Sequence, residues 1–192
     1  MERKQIKLLS TATTGLGDED ELLAVCIGNA GEAVQSIRTY VKKVTDRDKV
    51  LKSQEYHQIT PEQSMRGRSE QAFVDALAEE MKDSVFFTYN PSFQSKFIGR
   101  LGLMPALYNL PLFIKGADSK MLMYDKDSES LDAIQQCLAK RMGGTMAMNK
   151  LAAQHGAEKS VIELPVEFSC RALIVLWDYL QEIPVTVQGT FL

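Results

Sequence analysis

Histidine is nearly missing from this chain, with two in 192 residues. Neither His57, in a polar stretch, nor His155, near an expected helix end, has a second ligand at zinc spacing, so no metal site and no cofactor is expected. Cysteine is scarce as well. Cys26, Cys137 and Cys170 are odd in number, far apart and set among apolar neighbours, which excludes a disulfide framework and marks them as small core residues. There is no apolar run near the 18 residues a membrane span needs and no charged-then-apolar leader over residues 1–10, so the chain is expected in the cytoplasm, with no membrane insertion. Positive charge is not in excess either. A formal net charge of −3 offers no broad field for tracking phosphates, and aromatic and basic residues are not interleaved, so nucleic acid is not expected as a partner.

What the chain does contain begins with a glycine-rich passage. Lys4 to Leu9 is expected to be a short strand, followed by T-A-T-T-G-L-G as a turn. Such a turn can cradle phosphate at a helix N-terminus, but Asp18, Glu19, Asp20 and Glu21 follow at once and would repel it, and the G-K-[ST] ending is missing. Asp18 is read instead as the N-cap of a helix. Leu23, Ile27, Ala30, Val34, Ile37, Val41 and Val44 recur at fours and threes, which describes one long amphipathic helix of about six turns. Gly28 and Gly31 inside it signal a close approach or a break.

Residues 45–68 are the most polar part, read as a mobile loop or linker within a single domain spanning 1–192. Arg66 and Arg68, flanking Gly67, are candidates for gripping an acidic group. Ser69 opens a helix with Phe73, Leu77 and Met81 on one face, S-V-F-F-T-Y reads as a strand broken by N-P, and short helical turns are expected over 92–110. Two apolar runs separated by G-A-D-S predict a β-hairpin at about 112–124. A further helix follows over Leu131 to Ala152, interrupted by Gly143 and Gly144.

The longest concentration of apolar residues is Val161 to Gln181. Ile162, Leu164, Val166 and Phe168 alternate as in a half-buried strand, and Ser169 is read as capping a buried helix through Leu180. Val185, Val187 and Phe191 alternate in the same way at the end of the chain, predicting a last strand paired with the first half of that stretch. The fold class expected is α+β, with a mixed or antiparallel sheet packed by three or four amphipathic helices.

No catalytic constellation is legible. Cys170 as a nucleophile is set against its apolar neighbours, and Glu163 and Glu167 on one strand lie too far apart for acid–base work. The unusual feature is methionine. Met142, Met146 and Met148 beside Gly143 and Gly144 form a candidate partner- or ligand-binding patch, together with Arg66 and Arg68. These features point to a non-catalytic interaction subunit, adaptor or chaperone-like, with a protein partner or a homo-oligomer. The alternative reading is a small-molecule sensor with an apolar pocket beside Gly143 and Gly144.

Overall fold

A computed structural model of the chain describes residues 4–32, 36–110, 153, 156–157 and 163–182. The first strand, β1 (Gln5–Thr13), extends well past the expected Lys4 to Leu9 because its far half pairs with β2 as far as Thr13. Leu8 and Leu9 point to opposite faces and both are fully buried, as a central strand requires. β1 pairs antiparallel with β2 (Leu22–Asn29) and parallel with β4 (Ser84–Thr88). β3 (Arg38–Val41) and β5 (Leu107–Asn109) complete a mixed sheet of order β3-β2-β1-β4-β5.

The expected long helix from Leu23 to Val44 is thereby corrected to two strands. L-L-A-V-C-I is a continuous apolar run because β2 is buried on both faces, and such a run mimics a buried helix at spacings of three and four. Gly28 marks a close approach, as expected, but from a strand. A Cβ there would lie 2.5 Å from Ile174 Cδ1 on the helix crossing above. Gly31, with φ +76°, occupies the left-handed region in the turn after β2.

Residues 45–68, expected as loop or linker, carry three short helices: α1 (Arg47–Lys52), α2 (Gln54–His57) and α3 (Pro61–Met65). Asp46 caps the first, and Thr60 with Gln63 forms a capping box on the third. Val50, His57 and Ile59 are buried, which anchors this polar stretch to the core. Ser69 caps α4 (Glu70–Met81) with Phe73 and Leu77 buried, and Asn90 caps α5 (Pro91–Gly99). The first follows the sequence reading; the Asn90 cap is not foreseen in it, and the strand Leu107–Asn109 falls where short helical turns are expected.

The strand expected from Ile162 to Phe168 is also corrected where it is described. Pro165 starts α6 (Pro165–Glu182), so Val166 and Phe168 are helical and Ser169 is no cap. Proline fits the first helical position, where its fixed φ and missing donor carry no penalty. Glu167 then reaches back to accept from Leu164 N at 3.0 Å. The hairpin at 112–124, the helix over Leu131 to Ala152 and the last strand from Val185 lie outside the described residues.

The sheet is the middle of three layers. On one face Leu8 and Phe87 pack under Leu173, Ile174 and Trp177 of α6, with the Phe87 and Trp177 rings 4.9 Å apart. On the other, Leu9, Ile27 and Phe86 meet Phe73 and Leu77 of α4 and Phe97 and Ile98 of α5. A third cluster joins Ala12 and Cys26 to Val50, Ile59, Val166 and Cys170, fastening α1 and α2 beside the first turn of α6.

Candidate functional site

Because β2 is antiparallel to both β1 and β3, while β4 and β5 follow β1, four strands end on the same edge of the sheet. From that edge the chain leaves β1 toward β2 on one side, whereas β4 leads to β5 on the other. The switch point of the topology therefore lies between β1 and β4, and the carboxyl edge there is the position at which open sheets receive ligands in a crevice.

One wall of the crevice is the turn from Thr14 to Glu21, which sequence reasoning set aside as a phosphate site. Asp20 organises it. Its carboxylate accepts from Gly17 N at 2.8 Å, from Thr14 Oγ1 at 3.4 Å and from Lys52 Nζ at 3.1 Å. Gly15 is required here, since a Cβ would sit 2.3 Å from Asp20 Oδ2. Glu21 N donates to Thr14 Oγ1, and Ser53 Oγ to Thr14 O, so α2's start buttresses the turn. With its neighbours fixed, Leu16 is held 76 % exposed, an apolar side chain presented to solvent on a rigid loop.

The other wall is α5. Lys96 Nζ donates to Leu16 O at 3.3 Å and Arg100 Nη1 to Asp20 O at 2.8 Å, joining the helix to the turn. Both cations also pair with Asp18, which is therefore a tether and not the helix cap expected of it. The Lys96 hydrogen bond, with the charges of Lys96 and Arg100, lowers the Asp18 pKa. Asp20 is lowered first by its bond from the Gly17 amide. For Glu21, burial raises the pKa, but hydrogen bonds from Lys42 and Lys49 outweigh it. All three acids are thus held ionised and engaged.

Two polar atoms near this edge are buried without a hydrogen-bond partner among the described residues: Thr88 Oγ1, at the end of β4, and Gln94 Oε1, in the first turns of α5. Buried polar atoms are nearly always satisfied, by water or a ligand if not by protein. Neither residue carried a sequence signal. The turn did, in T-T-G-L-G, and the acids after it masked the signal because their pairing to distant lysines and an arginine is invisible in the sequence.

The residues singled out from sequence are dispersed. Arg66 and Arg68 lie at the edge beyond β3, whereas Met142, Gly143, Gly144, Met146, Met148 and His155 lie outside the described residues. His57 is buried. Its Nδ1 accepts from Ile59 N, so Nε2 carries the proton toward Val50 O, and burial lowers its pKa. Cys170 is fully buried. The Cys26 thiol beside it and its own burial raise its pKa. Glu163 pairs with Arg171, away from the crevice. Among the described residues, no three of His, Cys, Asp and Glu gather where they could hold a metal ion, and no helix is long and apolar enough to cross a membrane.

No family model matches the chain, and no curated protein sequence does. Among solved structures, the fold is similar to that of Escherichia coli Exonuclease I in complex with a dT13 oligonucleotide, with a TM-score of 0.54 at 12 % identity. The match covers 94 % of this chain and 43 % of that one, so this chain spans less than half the neighbour's length. Two expectations are corrected by it, a non-catalytic adaptor or sensor and the exclusion of nucleic acid. The fold is similar to one that holds an oligonucleotide; the exclusion rested on net charge, which averages away the local arrangement of cations, and on a lack of interleaved basic and aromatic residues along the sequence.

Proposed function

We propose that this chain binds single-stranded nucleic acid at the crevice between the carboxyl ends of β1 and β4. The observation that carries the reading is the fold match over 94 % of the chain to a nuclease holding an oligonucleotide. Local chemistry supports it. Leu16 offers an exposed apolar contact for the face of a base, and Lys96 and Arg100 stand beside it, held by the Leu16 and Asp20 carbonyls and paired with the exposed Asp18. Asp18, Asp20 and Glu21 are each paired with a cation, which fixes the turn that presents Leu16. The free thiols of Cys26 and Cys170 suit a reducing, cytoplasmic setting.

The test is fluorescence anisotropy with an end-labelled oligodeoxythymidylate, titrated with the full chain at 50 mM and 200 mM salt beside a duplex of equal length. Saturable binding that prefers the single strand and weakens with salt is expected. No binding at 50 mM, or equal binding to the duplex, overturns the reading.

A further inference from the structure

Most described lysines and arginines have a carboxylate within salt-bridge distance. Lys7 and Arg38 share Glu80, Lys42 takes Glu21 and Glu70, Arg47 takes Glu62, and Lys49, Lys52, Lys82, Lys96, Arg100 and Arg171 are likewise paired. Apart from Lys4, which precedes β1, the cations with no such partner among the described residues are Lys43, Arg66 and Arg68, and the backbone brings these three to one place. Arg68 N donates to Val41 O at 2.8 Å, Lys43 N to Arg68 O at 2.7 Å, and Gly67 N to Ser64 O at 2.8 Å. Gly67 makes the crossing possible, since a Cβ would lie 2.8 Å from Val41 O. All three cationic residues are exposed. Arg68 rests over the Tyr40 ring at 5.3 Å, which orders its guanidinium without neutralising it. Of the acids flanking this stretch, Glu62 is taken by Arg47 and Glu70 by Lys42, while Asp46 caps α1.

This cluster sits at the carboxyl end of β3, on the same edge as the crevice and two strand spacings, about 10 Å, from β1. From these observations we infer that Lys43, Arg66 and Arg68 form a second contact, a phosphate grip that holds the nucleic-acid backbone where it leaves the crevice. The inference rests on nucleic-acid binding at that crevice. Unpaired cations favour phosphate because no internal ion pair has to break, and arginine presents a bidentate fork to it. Such a contact is blind to base sequence and strongly dependent on salt.

The experiment compares the wild-type chain with K43Q/R66Q/R68Q, and with K43Q/R66Q, which leaves Arg68 on Tyr40, by anisotropy of the labelled oligodeoxythymidylate from 50 to 300 mM salt. Without its three phosphate partners, the triple variant should show a slope of log affinity against log salt shallower by about 2, at about 0.7 per phosphate on a single strand. The double variant should show roughly two-thirds of that change, and a mixed-sequence oligonucleotide should be affected equally. Wild-type binding with an unchanged slope in both variants overturns the grip and leaves the crevice standing. A wild-type chain that binds no oligonucleotide overturns both.

Discussion

Glu80 shows how much one side chain can hold. Its carboxylate accepts from Lys7 Nζ at 2.8 Å, from Arg38 Nε at 2.6 Å and from the Tyr40 hydroxyl at 2.6 Å, tying α4 to β1 and β3. Burial would raise its pKa, but these three donors win and lower it from 4.5 to about 2. The sign follows. A carboxylate depressed in the folded state contributes its stability fully above its unfolded value, and loses it as pH falls from about 4.5 to about 2. Glu80→Gln leaves Lys7, 6 % exposed, as a buried charge without a counterion, at a cost of roughly 3 kcal/mol. Urea unfolding at pH 7 should show that loss, and the variant's stability should fall less steeply than wild type between pH 5 and pH 2. Parallel pH profiles would mean that Glu80 is not the linked group. None of this was legible in the sequence, because Lys7, Arg38, Tyr40 and Glu80 meet only once the sheet has formed.

At the scale of elements, capping chemistry was readable and burial was not. Ser69 before Glu70 announced its helix because a cap acts within a few residues, whereas N-P, read only as the end of a strand, also caps α5. Leu22–Asn29 misled because a two-faced strand loses the alternation that identifies strands, and Pro165 misled because it opens a helix as readily as it weakens a strand. Gly67 passed as ordinary loop chemistry, yet it is where α3 is fastened to β3. An added Cβ would meet Val41 O and the Lys42 carbonyl carbon, both at 2.8 Å and both backbone, so neither can swing aside. Gly67→Ala is therefore expected to separate the two segments at a cost of about 1–3 kcal/mol. Amide exchange should reveal it as faster exchange at Arg68 and Lys43, with β1 still protected. Unchanged protection at both amides would refute the close approach.

For the whole molecule, the α+β class followed from the mixture of helical and strand patterns, whereas the partner did not follow from net charge. A value of −3 counts every carboxylate alike, although most of those near the cations described here are already neutralised in pairs. What matters for a phosphate backbone is which cations remain unpaired and whether they share an edge with the crevice. The central claim is that nucleic acid lies along the carboxyl edge of the sheet. Photo-crosslinking of an oligodeoxynucleotide carrying bromouracil, with the adducts mapped by mass spectrometry on the full chain, tests it most directly. Adducts on the peptides holding residues 14–21 and 91–100 are expected, with Leu16 among the modified positions. Adducts confined to α4 or to residues 82–87, with residues 14–21 and 91–100 unmodified, would contradict it.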